Sequence, residues 1–227
     1  MLDVCCGSGA SAIPAAQAVG PRGRVLGVDL AANLLALARE KAGVLELGNL
    51  ELRTGDLLEL GLPPASFDAV VCVFGVFFVP DMPAAVRALW RLVRPGGRLA
   101  LTTWGPRLFE PVNSVFWRAI AERRPELHRS FNPWDRITDP VAVRELLSEG
   151  GVPAGERAEV VAESATHPIH SSADWWALVL GSGYRGTVDL LSPSDRAHVQ
   201  AACAAFIRAE RVRSVETNVV YAVAHEE

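Results

Sequence analysis

The sequence predicts an α/β fold in which a largely parallel sheet is covered by helices. Three observations carry that expectation. A short β-prone run opens the chain and breaks into the glycine turn Gly7-Ser8-Gly9, after which a helix-compatible run begins. About twenty residues later a second β-prone run, Arg24 to Asp29, closes on an acid. Phe67 to Phe74 is nearly all apolar, as suits a central parallel strand buried on both faces.

Composition bounds the answer. At 227 residues and 24.4 kDa the chain is long enough for one domain with a substantial core. Apolar residues at 50% and charged residues at 21% argue for a folded globule. A net charge of -4 gives no surface suited to a polyanion, so no nucleic-acid partner is expected. Four cysteines, Cys5, Cys6, Cys72 and Cys203, have neither zinc-site nor disulfide-framework spacing, which points to a reducing cytoplasm and no metal. The longest apolar run, Ala69 to Pro80, is too short for a membrane span. The opening strand leaves no room for a signal peptide, and none is expected.

The first elements follow from local chemistry. Leu2 and Val4 alternate with Asp3 in the opening strand, and Gly7 and Gly9 let bare backbone turn close to a ligand. Ala10 to Val19 is small and helix-compatible, so its first amides point back towards that ligand. Asp29, at the carboxyl end of strand two, is placed to accept from the two hydroxyls of a ribose. Ala31 to Ala42 reads as an amphipathic helix with Leu34, Leu35 and Ala38 on one side and a stop at Gly43. Leu50 to Arg53 is a third strand, followed by Asp56, whose bland role is a helix N-cap before Leu57.

Gly7 to Ala12 also satisfies the dinucleotide pattern G-x-G-x-x-A, which leaves a nicotinamide-dependent oxidoreductase as one reading. Wider context favours another. Asp3 lies inside strand one, Asp56 follows strand three, and Arg94-Pro95-Gly96-Gly97-Arg98-Leu99 leads into a fifth strand, Gly97 to Trp104. With LDVCCGSG, GVDL, GDLLEL and FDAVVCVFGVFFVPD in order, these residues resemble the class I S-adenosylmethionine (SAM)-dependent methyltransferases over about the first hundred positions.

The resemblance implies a Rossmann-like, three-layer αβα sandwich with a mostly parallel seven-stranded sheet and an antiparallel last strand. It implies SAM as cofactor and S-adenosylhomocysteine as product. Its cofactor-binding positions fall on Asp3, Cys5, Gly7, Ser8 and Gly9 in the first motif, and on Asp29 and Leu30 after strand two. Asp56 and Leu57 follow after strand three, and Phe74 and Gly75 after strand four. The chain departs from the family at its start, where relatives carry tens of residues that include a helix covering the cofactor. That segment is expected to be missing from the chain as given, with a misassigned start as the first explanation.

The later chain is less patterned. Cys5 and Cys72 fall on strands that the fold makes neighbours, with core packing as the plain reading and a thiol site as the alternative. The strand-four loop has Phe77 and Phe78 and lacks the Asn or Asp with paired prolines of base-modifying relatives. Asp81 caps the next helix, and Arg87, Arg91 and Arg94 form a solvated face or an anion stripe. Pro111 to Arg124 reads as a helix with Val112, Val115, Phe116 and Ile120 inward, then Phe131 to Trp134 as a loop. Asp139 to Glu149 reads as a second helix, stopped by Gly150-Gly151. Arg157 to Glu163 is a predicted sixth strand and Ser214 to Ala224 a seventh, and a capped helix runs Arg196 to Arg211.

One domain, 1–227, is expected, with substrate-cap segments at 105–139 and 165–211. His167, His170 and Tyr184, with His128, are candidates for a base, but no side chain is obligatory, because the cofactor supplies the activated carbon. Trp175, Trp176 and Tyr184 either line an aromatic substrate pocket or tie the insert down, and Arg185 meets an anionic group or solvent. The expected partner is a small molecule, aromatic or lipid-like, near the quinone-biosynthesis C-methyltransferase branch. A SAM-binding module without catalysis is the competing class.

Overall fold

The computed structural model describes residues 1–153 and 158–227. Its strands and helices are β1 (Leu2–Val4), α1 (Ala12–Val19), β2 (Val25–Asp29), α2 (Ala32–Val44), β3 (Leu50–Thr54), β4 (Phe67–Val73), α3 (Met82–Trp90) and β5 (Val93–Trp104). They continue as α4 (Val112–Arg123), α5 (Pro140–Glu149), β6 (Ala158–Glu163), β7 (Thr166–Pro168), α6 (Ser172–Gly181), α7 (Arg185–Val188), α8 (Pro193–Ala209), β8 (Ser214–Glu216) and β9 (Val219–His225).

Seven strands form one sheet in the order β3-β2-β1-β4-β5-β9-β6. β1 runs parallel to both β2 and β4, and β5 is parallel to β4. β9 is antiparallel to β5, with Leu101 opposite Ala222. This is the predicted Rossmann-like sheet, mostly parallel with an antiparallel member. The strand order changes direction between β1 and β4, and in such sheets the crevice at that switch is where ligands bind.

The chain forms two compact units. The first comprises 1–104, 136–162 and 219–227 and contains the whole large sheet. Leu2, Val4, Val70, Cys72 and Leu99 are buried along its central strands. Ala12 and Ala16 of α1 and Leu35 of α2 join Val25 of β2 in one apolar cluster, while α3 and α5 pack together and reach β5 and β9. The second unit comprises 105–135 and 163–218. It packs α4 and α6 on α8 and carries the small β7-β8 sheet.

Several boundaries differ from expectation. α2 does not stop at Gly43 but ends in a Schellman turn, in which Leu47 donates to Ala42 (3.0 Å) and Glu46 to Gly43 (3.1 Å). Glu46 itself takes the left-handed position at φ 53°. α8 ends the same way with Arg211 at φ 52°, whereas α1 and α5 end on glycines, Gly20 at φ 69° and Gly151 at φ 84°. The predicted seventh strand is two strands, because Ser214–Glu216 pairs with β7 while Val219–His225 joins the large sheet. The predicted sixth strand began at Arg157, which lies outside the described residues. Trp134 and its neighbours, read as loop, form a short 3-10 helix at Pro133–Ile137. The arginines make no helical stripe: Arg94 lies in β5 and pairs with Asp68, and Arg87 donates to the Glu149 carbonyl at 3.0 Å.

Candidate cofactor site

The crevice is built at the carboxyl ends of β1 to β4, all within the first unit. After Val4 the chain turns through Cys5 at φ 60°, Gly7 at φ 53° and Gly9 at φ 85°. Gly9 must be glycine on two counts, since a Cβ there would also lie 2.8 Å from the Ile13 side chain. The turn feeds directly into α1, where Ile13 donates to the Gly9 carbonyl at 3.0 Å.

Asp29 holds this turn from the side. Its Oδ2 accepts from the Gly7 amide at 2.8 Å and its Oδ1 from the Ala31 amide at 2.8 Å, so one carboxylate bridges the glycine turn and the end of β2. Lys41, on α2, reaches the same turn and donates to the Ser8 carbonyl at 3.1 Å and hydroxyl at 3.2 Å. Its contact with Ser8 spans 33 residues and leaves no local signal in the sequence.

Asp3 is fully buried. Ser11, at the α1 N-cap position, gives its hydroxyl to Asp3 Oδ2 at 2.6 Å rather than capping the helix, and Asp3 Oδ1 has no hydrogen-bond partner. Burial pushes the carboxyl up to about 7, opposed by the Ser11 hydrogen bond and helped by the charge of Asp29. A buried carboxyl with an unpaired oxygen beside bare backbone is the kind of group that a ligand completes.

The remaining expected positions are placed as follows. Leu30 is exposed after β2. Asp56 is exposed and caps a short 3-10 helix at Leu57–Glu59, accepting from Leu58 at 2.8 Å, while Leu57 is buried. Phe74 turns left-handed at φ 53° at the end of β4 and stacks on Trp104, with centroids 4.0 Å apart. Gly75 touches Cys5 and Cys72 so closely that a Cβ would lie 2.4 Å from Cys5 Cβ and 2.9 Å from each sulfur. The structure thus brings Asp3, Cys5, the glycines and Asp29 together around β1, with Phe74 and Gly75 at the end of the neighbouring strand.

The candidate bases belong to the second unit. His167 lies exposed in β7, and His170 lies exposed before α6, its amide donating to Asp174 at 2.8 Å. His128 is also exposed, though its ring meets Trp117 edge-on. Tyr184 is buried against Phe116, Phe109 and Trp134, and its hydroxyl donates to Asn113 at 2.8 Å. Burial pushes the phenol up to about 12, so it keeps its proton at neutral pH and acts as core. Trp175 is buried in the same aromatic core, Trp176 is half-buried and Arg185 is exposed. No group of three or more metal-ligating side chains occurs among the described residues.

A family model described as a methyltransferase domain matches residues 1–97. That stretch is somewhat under half of the chain, and it is what the chain shares with methyltransferase domains. A demethylmenaquinone methyltransferase of Listeria welshimeri is 43% identical over 100 residues, which is 44% of this chain and 42% of that protein. The matched stretch thus spans less than half the length of the curated relative. Among solved structures, the Bacillus subtilis YcgJ protein superposes with a TM-score of 0.60 at 18% identity, covering 100% of this chain and 91% of that one. A Haemonchus contortus phosphoethanolamine N-methyltransferase, bound to phosphomonomethylethanolamine and S-adenosylhomocysteine, gives 0.59 at 18% identity over 100% of this chain and 48% of that one. These likenesses establish the fold across the chain. Every sequence-predicted cofactor position lies within the matched residues.

Proposed function

We propose that this protein transfers a methyl group from SAM to a small-molecule acceptor, leaving S-adenosylhomocysteine. The observation that carries the reading is the Asp29 carboxylate, held by the Gly7 and Ala31 amides at the mouth of a left-handed glycine turn in a methyltransferase domain. The residues present suit an adenosyl sulphonium. Bare backbone at Gly7 and Gly9 admits close approach, Asp29 has further acceptor capacity for ribose hydroxyls, and Asp56 offers a carboxylate to an adenine amine. The unpaired Asp3 oxygen supplies negative potential behind the turn whenever that carboxyl is ionised.

When bound, the cofactor supplies an electrophilic methyl. The chain's own work is to bind, to orient donor and acceptor in line, and to exclude water. Phe74 on Trp104 and the buried Phe77 give the strand-four end an apolar wall with no proton-accepting group. A base is required only for an acceptor with a high pKa. His167 and His170 remain the proposed candidates, and buried Tyr184 is assigned to packing.

We assign acceptor recognition to the second unit, whose aromatic content suits an aromatic or lipid-like metabolite. Likeness to demethylmenaquinone methyltransferase makes a quinol-type acceptor the first to try. All four cysteines are free, which supports a cytoplasmic location; no helix among the described residues is long and apolar enough to cross a membrane.

Calorimetry tests the cofactor assignment. Heat is expected with SAM and S-adenosylhomocysteine and none with NAD or NADP. Asp29→Ala is expected to weaken SAM binding at least tenfold, about 1.4 kcal/mol, and unchanged affinity would overturn the site. Methyl-tritiated SAM offered with a reduced naphthoquinone and other phenolic or lipid-like acceptors tests the reaction. Binding without labelled product would favour the non-catalytic module.

A further inference from the structure

We propose that Cys5 and Cys72 are a peroxide-responsive thiol pair beside the glycine turn, and that the disulfide they form weakens adenosyl-cofactor binding. The second half of that statement rests on the cofactor reading above.

The pair is a product of topology. β1 and β4 are parallel neighbours with Val4 opposite Cys72, which leaves Cys5 one residue past the partner of Cys72. Strands about 4.8 Å apart with a rise of about 3.3 Å per residue put positions offset by one residue roughly 5.8 Å apart, within the roughly 4.4–6.8 Å Cα separation that a disulfide bridges. Cys5 leaves the strand in a left-handed conformation at φ 60°, and both sulfurs converge on Gly75, each 2.9 Å from where its Cβ would stand. That convergence places the two thiols side by side.

The other cysteines are differently placed. Cys6 is buried towards α1 and Gly27, where burial pushes its thiol up to about 12. Cys203 belongs to the second unit.

Geometry also divides the roles. Cys5 is half-exposed and Cys72 fully buried, so an oxidant reaches Cys5 first. The neighbouring Cys72 thiol lowers the Cys5 thiol against the opposing effect of burial, while Cys5 and burial raise Cys72 well above the ordinary thiol range. Cys5 is then the attacking thiolate and Cys72 the proton holder.

The chemistry balances with a hydroperoxide as oxidant. Cys5 sulfur attacks one peroxide oxygen, the O–O bond breaks, and the departing hydroxide leaves as water while Cys5 becomes a sulfenic acid. Cys72 then gives up its proton and attacks the Cys5 sulfur. The S–O bond breaks, the S–S bond forms, and hydroxide takes the Cys72 proton as a second water. Two thiols lose two electrons, and the peroxide gains them.

Closing the bond draws the sulfurs to about 2.05 Å, and Gly75 leaves no slack beside them. The displacement therefore passes into the Cys5 to Gly7 backbone, whose Gly7 amide is tied to Asp29 at 2.8 Å.

The test treats the full chain with one equivalent of hydrogen peroxide, followed by peptide mass spectrometry and SAM calorimetry. The expected result is a Cys5–Cys72 linked peptide lighter by two hydrogens and at least tenfold weaker SAM binding, both reversed by dithiothreitol. Cys72→Ser should form no disulfide and should accumulate sulfenic acid at Cys5, trapped by dimedone. Oxidation confined to Cys6 or Cys203 would overturn the pair, and a disulfide with unchanged affinity would overturn its effect on binding. Protein that forms the disulfide yet never binds SAM when reduced would sink the cofactor reading and leave the pair standing.

Discussion

Asp3 in the first unit and Tyr184 in the second are both buried ionisable side chains, and the two are handled in opposite ways. Asp3 lies in the first unit with one oxygen on Ser11 and the other without a partner. Tyr184 lies in the second unit with its hydroxyl on Asn113 and its ring stacked on Phe116 at 5.4 Å. Desolvation raises both, yet Asp3 arrives at about 7 and Tyr184 at about 12. At physiological pH the carboxyl is poised between charge states and the phenol is locked neutral. An unpaired carboxyl oxygen beside the bare backbone of a glycine turn suits a ligand, whereas a phenol hydrogen-bonded within stacked rings is part of a core.

The largest test of that contrast is Phe116→Ala. Phe116 is fully buried and meets Trp117, Trp175 and Tyr184, so its removal should lower stability by about 3–5 kcal/mol in urea unfolding. A loss below about 1 kcal/mol, the usual scale of a surface change, would mean that the second unit has no such core.

Asp3→Asn sharpens the first half of the comparison. Folded Asp3 keeps its proton up to about pH 7, while the unfolded chain releases it near the ordinary carboxyl value of 3.8. Wild-type stability should therefore fall as pH rises between those limits, by about 1.4 kcal/mol per unit at most, and level off above pH 7. The variant lacks this slope, so its stability relative to wild type should rise across the same window, by a few kcal/mol in all. A difference independent of pH would refute the raised carboxyl. The smallest effect is expected from Tyr184→Phe, which keeps the stacking but strands Asn113 and should cost about 1 kcal/mol with no change in the pH profile.

Legibility followed the range of the forces involved. Strands one to five, the Asp81 cap and the Asp139-Pro140 helix start were readable because each is specified by neighbours in the chain. The crevice was readable for the same reason, since the glycine turn and Asp29 are local signals. Helix ends were not, because Glu46 and Arg211 take left-handed positions that composition assigns to glycine. The split of Ser214–Glu216 from Val219–His225 was not, because both segments are β-prone and only their partners, β7 and β5, separate them.

From the amino-acid order alone came the parallel sheet, the bend at Gly7 and Gly9, and the acid at position 29, since turn chemistry and alternating apolar residues act over a few positions. Tertiary structure decided the rest. It buried Asp3 deeply enough to raise its carboxyl, brought two thiols 67 positions apart to one point beside Gly75, and enclosed Tyr184 in rings drawn from distant helices. Desolvation and through-space contact depend on what surrounds a group after the chain has closed on itself, and no local pattern encodes that.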